Sequence, residues 1–84
     1  MTPQQVTTVL RELLADLLEL DPQTLEPEQD LIDDLDTDSL QRLELLTETE
    51  RQLGVRLDAR AWREARTLAD LTDLVLHELA ERSA

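Results

Sequence analysis

Leucine and valine recur at helical spacing in three stretches of this chain, and no Val/Ile/Thr-rich alternating run argues for a sheet. Val6, Val9, Leu10, Leu13, Leu14, Leu17 and Leu18 make one broad apolar face of a first helix. Thr2 is its candidate N-cap, Pro3 suits the first helical position, and Gln5 closes a capping box. Asp21-Pro22 stops it. A second helix is predicted from about Ser39 to Leu53, with Gly54 placed as the C-cap. Leu43, Leu46 and Leu53 lie near one of its faces, Leu40 and Leu45 flank that face, and Thr49 falls on it. Thr67 with Asp70 forms another capping box, opening a last helix whose face is Leu68, Leu71, Leu74 or Val75, and Leu79.

Between these helices lie two links. The first, from about Leu20 to Thr37, is long, acidic and holds two prolines, and Leu25, Leu31, Ile32 and Leu35 predict that it is pinned to the core. The second is a short extended Val55-Arg56-Leu57, followed by a short helix from Ala59 to Arg66 that carries Trp62 and Ala65 inward or across a groove. The fold class is therefore all-α. It is a small four-helix bundle with three long helices, one short third helix and a long first loop. The 84 residues suit one domain, 1–84, burying roughly 60% of the unfolded chain's surface. Trp62 is the one aromatic residue, so leucine fills most of the core.

Charge and cysteine content narrow the chemistry. The formal net charge is −12, and residues 1–50 hold 14 acids against two arginines, while residues 51–84 hold six of each. Such a field repels nucleic acid and anionic membrane and steers basic partners toward the first three-fifths of the chain. With no cysteine, disulfides, thiolate catalysis and Cys-based zinc sites are excluded. No apolar stretch reaches the length of a membrane span, and no signal-peptide pattern is present, which points to a cytoplasmic protein.

Few groups can carry a reaction. Asp34, Asp36 and Asp38 fall on the first ligand positions of a calcium loop, but Ser39 stands where its glycine belongs and Leu45 where its glutamate belongs. No metal site is expected beyond weak surface attraction of divalent cations. His77, the single histidine, sits in the last helix with no glycine-rich turn to serve as an oxyanion hole, so a hydrolytic Ser39–His77 pair is not supported. Ser39 is better placed. Asp38 can cap the second helix with Gln41 completing the box, which puts the Ser39 hydroxyl in the first turn, where the helix terminus favours a phosphate ester.

The residues Asp33-Asp34-Leu35-Asp36-Thr37-Asp38-Ser39-Leu40, followed by Leu43-Glu44-Leu45, resemble the phosphopantetheine attachment site of acyl carrier proteins, whose usual pattern is Asp-Leu-Gly-x-Asp-Ser-Leu before a Val-Glu-Leu-like helix. The resemblance extends through the long first loop, Gly54-Val55-Arg56-Leu57 and Thr67-Leu68-Ala69-Asp70-Leu71, nearly the whole chain. It implies that Ser39 bears 4′-phosphopantetheine, covalently attached from coenzyme A by a phosphopantetheinyl transferase. Asp38 would then act as helix cap and transferase contact. It also implies a monomeric, non-catalytic carrier that holds acyl intermediates as thioesters and presents them to biosynthetic enzymes. Those enzymes would be acyltransferase, ketosynthase or acyl- or aminoacyl-loading partners with basic docking patches. The expected partner face is Leu40, Arg42, Leu43, Glu44, Thr47, Glu48 and Glu50, with Trp62, Arg63 and Arg66 adjoining.

Three departures from the pattern stand out. Asp36 replaces the glycine, Arg42 and Arg51 interrupt the acidic helix, and Trp62-Arg63-Glu64-Ala65-Arg66 is bulkier and more basic than usual. Trp62 either fills core space, lines an acyl pocket or contacts a partner, and inward Thr49 and Ala65 would leave room for cargo. Asp38 favours the acyl type over peptidyl carriers, which usually place histidine there. Composition and chain ends suggest a discrete bacterial carrier of polyketide or related specialised biosynthesis. The alternatives are a discrete aminoacyl or peptidyl carrier, or a non-modified acidic helical module.

Overall fold

Helix α1 spans Pro3–Leu18. Its capping box forms as expected: the Gln5 N–H donates to Thr2 Oγ1 at 3.2 Å, and the Thr2 N–H donates to Gln5 Oε1 at 2.8 Å. Glu19 ends the helix in the left-handed region, φ 57°, and the Leu20 N–H reaches back to the Ala15 carbonyl at 2.9 Å. After a single 3₁₀ turn over Pro22–Thr24 come α2 (Ser39–Leu53), α3 (Ala59–Glu64) and α4 (Leu68–Ser83). This computed structural model describes residues 1–83, so Ala84, the last residue of the expected domain, lies outside it. Among the described residues the one β-type pairing is an isolated bridge between Asp30 and Thr67.

The core is the leucine cluster the periodicity predicts. Val6, Leu10 and Leu14 of α1 meet Leu45 and Leu46 of α2, Trp62 of α3, and Leu68, Leu71 and Val75 of α4. α1 packs against both α2 and α4, and α3 bridges α2 and α4. Two buried threonines are satisfied within their own helices: Thr49 Oγ1 donates to the Leu45 carbonyl at 2.7 Å and Thr72 Oγ1 to the Leu68 carbonyl at 3.0 Å, and Thr72 Oγ1 also lies 3.1 Å from Thr7 Oγ1 on α1.

The first loop is tied down by polar as well as apolar contacts. Leu25 and Leu31 are buried, whereas Ile32, expected to pin the loop, is exposed. Backbone bonds compensate: the Leu31 N–H donates to the Arg66 carbonyl at 2.7 Å, and the Ala69 N–H to the Pro27 carbonyl at 2.9 Å. Arg66 also ion-pairs with Asp30 at 2.9 Å and Asp33 at 3.3 Å. These bonds explain why α3 stops at Glu64 rather than running to Arg66: Ala65 turns extended (ψ 138°), freeing Arg66 to bind the loop.

The Asp30 carboxylate accepts the Asp33 and Ile32 N–H groups, both at 2.8 Å. The Asp33 N–H first, and Arg66 after it, hold the Asp30 carboxyl below its ordinary value of 3.8. The bond to Asp30 raises Arg66 in turn. A depressed carboxyl adds stability that is present above the unfolded value and lost as pH falls through the folded one. Arg66→Gln is therefore expected to lower the melting temperature at neutral pH, with the gap to wild type closing below about 3.8. Thermal melts across that range check it.

Candidate functional site

The site is built at the head of α2. Thr37 is buried beneath it, its Oγ1 donating to the Leu31 carbonyl at 2.7 Å. Arg42 reaches back one turn, and its Nη1 donates to the Thr37 carbonyl at 2.9 Å and to Thr37 Oγ1 at 3.1 Å. The expected cap is present: the Gln41 N–H donates to Asp38 Oδ1 at 2.7 Å, and the Asp38 N–H donates to Gln41 Oε1 at 3.0 Å. Ser39 is the first residue of the helix and is exposed. Asp38 takes the Gln41 N–H, while the Ser39 and Leu40 amides have no acceptor earlier in the helix, so a phosphate there meets these two N–H groups and the positive helix end.

Asp36, the departure from the glycine of the pattern, adopts φ 55°. The loop therefore keeps the left-handed turn that glycine makes easily, and aspartate is among the few side chains that tolerate it. Asp36→Gly is expected to raise the unfolding free energy by up to ~1 kcal/mol, and Asp36→Val to lower it by at least as much. Urea unfolding followed by circular dichroism measures both.

Two surface depressions flank Ser39. One is a cleft of about 250 Å3 between α2 and α3, lined by Ser39, Arg42, Leu43, Leu46, Ala59, Trp62 and Arg63. The other is a groove of about 480 Å3 between α1 and α2. Its apolar floor is Leu13, Leu17, Leu40 and Leu43, and its rim holds Asp16, Glu44, Thr47 and Glu48.

The predicted site residues divide accordingly. Leu40, Leu43, Glu44, Thr47 and Glu48 come together along the α1–α2 groove. Leu43, also read as inward-facing, is 54% exposed, because Leu45, Leu46 and Thr49 take the core side of α2. Four residues expected on the partner face are committed elsewhere. Glu50 accepts the Leu57 N–H at 2.8 Å and fixes the α2–α3 link, while Arg66 binds the first loop. Arg42 spends its Nη1 on Thr37. Trp62 is 1% exposed and donates its indole N–H to the Arg42 carbonyl at 3.0 Å, which makes it core and cleft wall rather than a contact surface. Thr49 and Ala65 line neither depression. The sequence reading missed the α1 side of the groove: Leu13 and Leu17 read only as part of the apolar face of α1, and Asp16 drew no attention, until α1 is set beside α2.

An exposed hydroxyl at a helix head, between two open depressions on an acidic four-helix bundle, suits cargo held on a tether. Comparison with known proteins agrees. Residues 8–75 match the family described as phosphopantetheine attachment site. The chain is 43% identical over 60 residues to polyketide-8 synthase acyl carrier protein 2 of Streptomyces avermitilis, covering 66% of this chain and 69% of that one. It is 28% identical over 80 residues to an acyl carrier protein of Thermosynechococcus vestitus, covering 95% and 99%. The solved acyl carrier protein of Enterococcus faecalis superposes with a TM-score of 0.76 over 93% of this chain and 99% of that one, at 18% identity, a likeness of fold. The chain belongs to the phosphopantetheine attachment family. It is a carrier of acyl groups whose cofactor is covalent 4′-phosphopantetheine.

Proposed function

We propose that Ser39 is the attachment residue and that the chain carries polyketide-type acyl groups without itself catalysing their chemistry. The observation that carries this reading is the exposed Ser39 at the first position of α2, just after the Asp38–Gln41 capping box. The residues there fit the group: the Ser39 and Leu40 amides, left over by the Asp38 cap, favour its phosphate, and the adjoining cleft with its two arginines has room beside the hydroxyl. When bound, the cofactor supplies the thiol that the cysteine-free chain lacks. The chain's own task is to hold and present. Asp38 fixes the turn, Thr37 and Arg42 lock it to the loop, and the α1–α2 groove offers an apolar strip edged by carboxylates to a phosphopantetheinyl transferase and to acyl-handling enzymes with basic patches. Asp38 at the position before the serine, and the 43% identity to a polyketide carrier, support acyl over aminoacyl cargo. No helix among the described residues is long and apolar enough to cross a membrane, which supports a cytoplasmic carrier.

Intact mass after incubation with a promiscuous phosphopantetheinyl transferase and coenzyme A tests the reading. One added phosphopantetheine is expected. An unchanged mass would leave the chain a non-modified acidic module.

A further inference from the structure

Ser39 takes its place in space from the two residues before it, and these are held by the helix they introduce. The Thr37–Asp38 peptide is a rigid plane, and each of its polar ends has a partner on α2. Arg42 Nη1 donates to the Thr37 carbonyl at 2.9 Å, and the Asp38 N–H donates to Gln41 Oε1 at 3.0 Å. Turning that plane to re-aim Ser39 breaks both bonds. The Gln41 half is a helix cap of the kind that recurs at Thr2 and Gln5. The Arg42 half has no counterpart. At the same distance from the caps of α1, α3 and α4 stand Val6, Trp62 and Leu71.

The clasp extends beyond one bond. The same Nη1 lies 3.1 Å from Thr37 Oγ1, which itself donates to the Leu31 carbonyl, and the Arg42 carbonyl takes the Trp62 indole N–H at 3.0 Å. One residue thus ties the first loop, α2 and α3 to one another. It does so at a cost. Arg42 lies in the half of the chain that holds 14 acids, yet it pairs with none of them among the described residues. Its Nε is buried with no partner, which is rare in a folded chain and calls for a reason. The turn just upstream supplies one. Asp36 sits in the left-handed region at φ 55°, where a residue with a Cβ is strained. The segment leading to Ser39 therefore has an easier conformation to relax into, and the clasp opposes it.

Resting on the assignment of Ser39, we infer that Arg42 is a positioning residue for its modification: clasped to Thr37, it holds the Ser39 hydroxyl on the line of attack. In that step Ser39 Oγ bonds to the phosphorus of the pantetheine phosphate as the pyrophosphate bond of coenzyme A breaks. Adenosine bisphosphate leaves, and the hydroxyl proton passes to the transferase. Such a displacement depends on alignment, and a misplacement of about 1 Å can slow it ~100-fold. Arg42 acts on it through Thr37 and touches neither reacting atom.

Steady-state transfer from coenzyme A by a promiscuous phosphopantetheinyl transferase, read by intact mass, tests the role. Arg42→Met keeps the stem and removes the donors. It is expected to cut kcat about tenfold while KM stays within about twofold, and Arg42→Lys to recover most of the rate. Thr37 is only 6% exposed, so Thr37→Val alters the clasp without altering the surface a transferase meets. It should slow transfer too, and add little on top of Arg42→Met. Val75→Ala, which loosens the core from α4, should leave kcat unchanged. A full rate in Arg42→Met overturns the inference, as does an Arg42→Lys rate no better than that of Arg42→Met. A loss that falls on KM would make Arg42 a contact for the enzyme and overturn it, and so would losses that multiply in the double variant. An equal loss in Val75→Ala would make stability the cause and overturn it too. If circular dichroism shows Arg42→Met unfolded, Thr37→Val against Val75→Ala decides alone. A wild-type chain that gains no mass fails the Ser39 assignment instead, a separate result.

Discussion

Ser39→Ala is expected to abolish the gain of phosphopantetheine completely while changing the unfolding free energy by less than ~0.5 kcal/mol. The two halves of that result come from different parts of the site. Modification needs the hydroxyl, and the substitution removes it. Folding does not, because the cap is made by the neighbouring residue: Asp38 Oδ1 takes the Gln41 N–H, and Gln41 returns the bond. Ser39 is exposed, and alanine is the better helix former at an interior position. Asp38→Ala should show the converse. Losing the cap costs about 1 kcal/mol, and a mispositioned serine slows modification without preventing it. Intact mass and urea unfolding on the same two variants separate the roles. A modified Ser39→Ala chain would move the attachment point to another residue.

Most helix ends were legible because each is written into local chemistry. Thr2 with Gln5, Asp38 with Gln41 and Thr67 with Asp70 each form their reciprocal bonds, and such boxes need no tertiary information. Faces were less legible. α2 carries two apolar stripes, Leu40 with Leu43 and Leu45-Leu46 with Thr49, and periodicity alone does not rank them. Packing of α1 against α2 buries the second and leaves the first as the groove floor. Long-range partners were illegible for a simpler reason. Arg66 meets Asp30 across 36 residues and Trp62 meets the Arg42 carbonyl across 20, so each read as a free surface or site candidate until the fold supplied its partner. The turn at Asp36 was hidden because its side chain says acid while its backbone does what glycine would do.

That same hidden partnership makes Trp62→Ala the most damaging single change expected in the fold. Trp62 is among the largest fully buried side chains, joins α3 to the core, and anchors its N–H on α2. Truncating such a residue typically costs 3–5 kcal/mol, on the order of the whole stability of a small domain. α3 is only six residues long, too short to hold together without packing, so it should be the first element lost. The carrier would forfeit the wall of the cleft beside Ser39 as well as its stability. Trp62→Phe separates the two contributions. It keeps most of the buried ring and removes the donor to the Arg42 carbonyl, for an expected cost of about 1–2 kcal/mol. Urea denaturation followed by circular dichroism reads both variants, since neither retains the tryptophan signal. Equal losses for Phe and Ala would mean the hydrogen bond, not the packing, holds α3 on α2. A loss under ~1 kcal/mol for Ala would mean the core closes over the missing ring.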